Sequence, residues 1–161
     1  MMEGKPILMS LNPQWFSPIM TGRKWFEVRK RAPMQKHPYK VYLYCTKGGE
    51  EAWLAGIRGQ REPYLMNGTV CGEFTCVETR EMHGPWQFHT IGTGLSEAQL
   101  INYAAGDDTL YYMMIQDMTL YNEPKKLEDF GMSRAPMSWQ FLPEKERKTI
   151  KAGNKHGSIE P

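Results

Sequence analysis

Lys24, Glu27 and Arg29 stand close together in the run Gly22-Arg23-Lys24-Trp25-Phe26-Glu27-Val28-Arg29-Lys30-Arg31. Strand alternation puts Phe26 and Val28 on one face and Trp25, Glu27, Arg29 and Arg31 on the other. Glu27 and Arg29 can therefore pair. On an open surface such a pair contributes roughly 0 to 1 kcal/mol. In a cleft the same residues do chemistry. Arg29 would present its planar fork to a phosphate or a base edge. Glu27 would fix that arginine or accept from the amino group of a base. Lys24, next to the turn at Gly22, would contact phosphate. With its pKa depressed by Arg23 and Arg29 it would serve instead as a base or nucleophile. The residues alone leave the solvated pair and the cleft both open.

Further ligand candidates surround this run. Ser10 ends the first strand and reads as a hydrogen-bonding group or a helix-entry residue. Tyr44 and Thr46 share one face of another strand, either as barrel packing or as a stacking aromatic and a ligand-binding hydroxyl. Trp25 and Trp53 read as stacking platforms or as core and lid residues. Arg29-Lys30-Arg31 reads as a solvated edge or a local basic patch. His83 and His89 flank Trp86 in a loop and read as solvated surface.

The elements that must hold these side chains are short. Residues 6–11 read as a buried strand, with Asn12-Pro13 breaking it. Trp15, Phe16, Ile19 and Met20 recur at helical spacing, so 13–21 read as a short helix capped by Asn12 and stopped by Gly22. Residues 23–31 and 40–46 are strands. Residues 47–68 lack a clean period and read as an inserted loop with one helical turn near Glu51-Ala52-Trp53-Leu54. Residues 69–78 are a strand in which Gly72 marks a bulge or a close backbone approach. Residues 79–94 are irregular. Ser96 and Gln99 form a capping box opening a helix to about Ala105. Leu110 to Met118 is a long strand, Tyr121 to Leu127 an edge strand limited by Pro124, and 128–143 a closing segment. The order does not alternate strand with helix. It predicts an α+β fold: a small, mostly antiparallel barrel with inserted short helices.

The chain has 161 residues, 40% hydrophobic and 12% aromatic, which suits one domain over 1–143 and a polar, basic-leaning tail over 144–161. Net charge is only +2, so a nucleic-acid footprint must be local. Cys45, Cys71 and Cys76 form no CxxC pair and read as reduced, buried thiols. The four histidines are scattered, which excludes a structural zinc site, and no cofactor is expected. No apolar run approaches the ~20 residues of a membrane span, and the N-terminus does not read as a signal peptide, so a cytoplasmic location is expected.

Four pieces, in order, resemble one family. Residues 7–15, Ile-Leu-Met-Ser-Leu-Asn-Pro-Gln-Trp, precede a G-x-K-x-x-E-x-R signature at Gly22, Lys24, Glu27 and Arg29. Val-Tyr-Leu-Tyr-Cys-Thr (41–46), Thr-Val-Cys-Gly-Glu-Phe (69–74) and Arg-Ala-Pro-Met-Ser-Trp-Gln-Phe-Leu (134–142) complete the likeness. The chain thus resembles the ASCH (activating signal cointegrator homology) domains over about residues 5–143. The resemblance implies a PUA-like barrel whose cleft is lined by Lys24, Glu27 and Arg29, and a ligand that is RNA or nucleotide-like. A bacterial branch similar to it hydrolyses acetylated cytidine nucleosides with a Lys, a Thr and a Glu. Lys24 falls on that Lys. Glu27 stands where the Thr would, and no acid stands near Thr93 and Gly94. Two readings follow: an RNA- or nucleotide-binding module, or a small hydrolase of amidohydrolase or ribonuclease type with Lys24 and Glu27 as catalytic candidates. A protein-interaction module using 47–68 is a third.

Overall fold

A computed structural model describes residues 1–55 and 62–144, together with the backbone of 158–159. Strands β1 (Ile7–Leu11), β2 (Phe26–Arg29), β3 (Tyr39–Cys45), β6 (Val70–His83), β7 (Thr109–Lys125) and β8 (Trp139–Phe141) form one sheet in the order β2-β7-β6-β3-β1-β8. The pair β1–β3 is parallel and the others on this path are antiparallel. The sheet curls into a half-barrel, with two short helices, α1 (Phe16–Met20) and α2 (Glu97–Ala104). This is the α+β barrel-like fold expected from the sequence. Among the described residues no helix is long and apolar enough to cross a membrane.

Burial on both faces of the sheet explains its composition. Ile7, Met9 and Leu11 of β1 and Val41, Leu43 and Cys45 of β3 fill the main core with Phe74, Met113 and the α1 residues Phe16 and Ile19. Leu8, Tyr42, Tyr44, Val70, Tyr121 and Phe130 form a second core on the other face. Val28, Met82, Trp86, Leu100 and Leu110 form a third beneath α2. All three cysteines are free and buried.

Several local expectations need correction. Residues 13–21 are not one helix: Pro13–Trp15 make a 3-10 turn that leads into α1. Asn12 does not cap it, and its side chain instead accepts from the Thr46 hydroxyl at 3.0 Å. The strand expected over 23–31 is confined to Phe26–Arg29. Near Glu51–Leu54 there is no helical turn. Trp53–Leu54 (β4) pairs with Tyr64–Leu65 (β5) in a two-stranded ribbon; the intervening 56–61 lie outside the described residues. The strand expected to end at 78 continues to His83, because bulges between Glu73 and Thr75 and between Cys76 and Thr79 let polar residues carry on pairing with β7. The two strands expected over 110–118 and 121–127 are one, β7, running through Pro124. Most of the expected tail lies outside the described residues. Within it Ser158–Ile159 (β9) pair with Leu120 and Tyr121.

The helix expectation after Gly94 holds in detail. Ser96 Oγ accepts from Gln99 N, and Gln99 Oε1 accepts from Ser96 N. This fixes the N-terminus of α2 and thereby the direction in which its last turn faces β2.

Candidate functional site

The turn at Gly22 (φ 78°) delivers Lys24 into the protein. The backbone N–H groups of Arg23 and Lys24 both donate to Pro18 O in the middle of α1. The N–H groups of Trp25 and Phe26 then donate to Gly92 O. A Cβ at Gly92 would sit 2.8 Å from the Trp25 ring, so only glycine lets the loop come this close. These contacts aim Lys24 inward and fix the loop that ends at Thr93.

Lys24, Glu27 and Arg29 are all buried, at 3%, 5% and 8% exposure. Lys24 Nζ donates to Thr93 O at 2.5 Å and lies 3.3 Å from Glu27 Oε1. Arg29 Nε donates to Glu27 Oε2 at 2.7 Å. Arg29 Nη2 donates to Ser10 O at 2.7 Å, and Nη1 to Ser138 Oγ at 3.2 Å. Of the five guanidinium N–H groups at least three are engaged by the protein, so at most two can face a ligand. Arg29 is thus as much a strut as a receptor.

The cluster holds two cations and one anion. Burial pushes the Lys24 ammonium below its ordinary pKa, and the neighbouring Glu27 recovers only part of that. Burial also acts on Glu27, in the direction of protonation, but Arg29 and Lys24 outweigh it and hold the carboxyl below its usual range. Glu27 is therefore ionised at neutral pH, and a protonated Lys24 leaves one buried positive charge without a counterion among the described residues.

This cluster lines an open cavity of about 660 Å³. Ser10, Thr46, Trp15, Tyr103 and Ser138 also line it. Trp15 lies under the Lys24 ammonium, 5.2 Å from ring centroid to Nζ. Lys30 reaches over the Tyr103 ring at 5.7 Å. Gln14, Gln99 and Asn102 add side-chain amides.

Of the residues singled out from the sequence, Ser10, Lys24, Glu27, Arg29 and Thr46 meet at this cavity. Tyr44 does not. It packs in the second core with Leu8, Val70 and Tyr121, and burial raises its phenol pKa. Trp25 does not line the cavity either. It is 51% exposed, with its indole N–H donating to Gly22 O. Trp53 is exposed on the β4–β5 ribbon. The aromatics that do line the cavity, Trp15 and Tyr103, were missed. Trp15 reads from the sequence as part of the apolar face of a helix, and Tyr103 sits on α2, remote in sequence from β2. Among the described residues no group of three or more His, Cys, Asp or Glu could hold a metal.

No protein-family model matches the chain, and no curated protein matches it in sequence. Solved structures do resemble it. The crystal structure of ASCH from Zymomonas mobilis gives a TM-score of 0.68 at 20% identity, covering 92% of this chain and 94% of that one. A tyrosine-to-phenylalanine mutant of that protein gives 0.68 at 19% identity over 92% of this chain and 98% of its own. A serine-to-alanine mutant gives 0.68 at 19% over 94% and 98%. At that level of identity the likeness speaks to architecture, and it agrees with the four sequence pieces: the chain has the fold of an ASCH domain.

Proposed function

We propose that the cavity binds a nucleotide or a nucleotide within RNA, through its phosphate and its base together. The observation that carries this reading is the buried Lys24–Glu27–Arg29 cluster, in which a protonated Lys24 and Arg29 share a single carboxylate. A volume of about 660 Å³ lies within the ordinary range for small-ligand sites. Trp15 and Tyr103 supply flat faces, and Gln14, Gln99 and Asn102 supply amides that donate and accept toward a base edge. Lys24 and Lys30 supply the phosphate contacts.

Titration calorimetry of the full chain with nucleoside monophosphates and the matching nucleosides tests this. The monophosphates should bind at least about tenfold tighter, as expected for a charge-assisted hydrogen bond in a desolvated site. Lys24→Met should remove that difference. An anion favours the protonated lysine, so affinity should fall as pH rises from neutral toward the ordinary lysine value of 10.5. Equal affinity for nucleoside and monophosphate would sink the reading.

A second reading, hydrolysis of a modified nucleoside, nucleotide or RNA, is favoured by one feature. Lys24 is a buried amine with a lowered pKa, 3.3 Å from a carboxylate. In that case Lys24→Met would abolish turnover while leaving much of the affinity of an uncharged substrate.

A further inference from the structure

A second cavity, of about 480 Å³, lies between the segment that links β2 to β3 and residues 79–81 of β6, with Tyr111 of β7 beside them. We propose that it binds a small monocarboxylic acid with an apolar body. It shares no lining residue with the Lys24 cavity, so this does not rest on the nucleotide reading. Its walls are held by the protein itself. Lys5 N donates to Gln35 Oε1 at 2.7 Å, and Gln35 Nε2 donates to Lys5 O at 2.9 Å. The N–H groups of Glu3 and Gly4 donate to Pro38 O. A Cβ at Gly4 would run into Lys36 O and Tyr39 Cβ, so only glycine lets the two segments lie this close. Facing the clamped segment, a bulge between Cys76 and Thr79 interrupts β6. Bulges re-aim side chains, and here Thr79 Oγ1 comes within 2.9 Å of His37 Nε2.

Two donors stand at this cavity. The His37 ring packs on the buried Tyr39 ring, 5.3 Å between centroids, and Thr79 holds its Nε2. With the threonine hydroxyl donating to Nε2, Nδ1 carries the proton, and Nδ1 has no partner among the described residues. Among the charged lining residues, Arg80 is engaged by Glu78 at 2.8 Å and Glu81 faces His83 at 3.2 Å. Lys36 has no ion pair among the described residues. One charged donor and one neutral donor match the single charge and two oxygens of a carboxylate. A phosphate would bring more charge than Lys36 can meet. The rest of the wall is apolar: Pro33 is buried, Tyr111 half-buried, and Met34 lies 81% exposed at the rim. An apolar body would cover that surface, and the volume lies within the ordinary range for small-ligand sites.

The test follows the backbone amides of the full chain in proton–nitrogen NMR correlation spectra. The chain is titrated in turn with phenylacetate, phenylacetamide, acetate, phenethylamine and inorganic phosphate. Phenylacetate should give saturable shifts at Lys36, His37 and the amides of residues 79–81. Phenylacetamide should bind about tenfold more weakly, because it loses a charge-assisted hydrogen bond. Acetate, which lacks the apolar body, should lose about as much. Lys36→Gln changes an exposed side chain and should keep the thermal midpoint of the parent. It should erase the preference for acid over amide, since the amide carbonyl can still accept from His37. Met34→Ser, also at an exposed position, should weaken acid and amide alike. No saturable shift at these amides with phenylacetate overturns the proposal. So does equal binding of phenylacetamide, acetate or phosphate, or a preference for the acid that survives Lys36→Gln. Tighter binding of phenethylamine would make Glu81 the receptor and overturn it as well. Shifts confined to residues around Lys24 would assign the acid to the first cavity, overturning the second site while leaving the nucleotide reading to its own test.

Discussion

At the scale of single residues, the three members of the buried cluster are not equivalent, although each is nearly inaccessible to water. Glu27 is the one anion and touches both cations. Converting it to Gln leaves Lys24 and Arg29 as buried like charges with no counterion. Removing one partner of a buried ion pair typically costs about 3–5 kcal/mol. Lys24→Met keeps the aliphatic stem, leaves Glu27 paired one-to-one with Arg29, and loses the hydrogen bond to Thr93 O. That loss should cost only about 1 kcal/mol. Urea unfolding of both variants at neutral pH measures the difference. Equal destabilisation would mean that Glu27 is not the shared partner that its contacts with both Lys24 and Arg29 make it. The same unevenness separates binding from folding: Lys24 can be removed to test ligand affinity, whereas Glu27 cannot.

At the scale of elements, the sheet depends on a close approach in β6. A Cβ at Gly72 would lie 2.6 Å from Thr119 O and 2.9 Å from Leu120 Cδ2 of β7. The first of these is backbone and cannot swing away. Gly72→Ala should therefore destabilise by about 1–3 kcal/mol through overpacking, seen as a lower denaturant midpoint with an unchanged slope. A variant as stable as the parent would show that the two strands can part there at little cost. Gly72 was legible from sequence because a glycine inside an apolar strand has few other uses. So were the capping box at Ser96 and Gln99, and the alternation that puts Glu27 and Arg29 on one face. Tyr44 was not legible, for a physical reason. From Tyr39 to Cys45 only Lys40 escapes full burial, because the sheet is covered on both faces. Period-2 alternation then separates two cores rather than core from cleft. The far end of β6, residues 79–83, was not legible because bulges break the alternation that announces a strand. Asn102 and Tyr103 fall within the helix expected from Ser96 to about Ala105, on a stretch exposed to solvent. Nothing in the local sequence tells that this face closes a cavity against β2.

At the scale of the whole molecule, the half-barrel among the described residues ends at β2 and β8, and the cavity lies where these two strands approach each other. No backbone ladder joins them. Side chains do. Arg29 of β2 reaches Ser10 O of β1 and Ser138 just before β8, while Trp139 of β8 reaches back to Arg31 O. β8 itself is three residues long and, among the described residues, pairs with β1 alone. Arg29 is therefore the clasp of the barrel as well as a wall of the cavity, and this accounts for its engaged donors. Lysine could replace its charge but not its fork, which bonds Glu27, Ser10 and Ser138 at once. Arg29→Met should leave Ser10 O and Ser138 without their partner and cost about 1–3 kcal/mol. Arg29→Lys should recover only part of that. The loss should be local. Hydrogen exchange should quicken first at the Ser10 amide, which donates to Ser138 O, and along β8, before β3, β6 and β7 show any change. Exchange that quickens evenly across the sheet would show that β8 is held by β1 alone and that Arg29 serves the ligand rather than the seam.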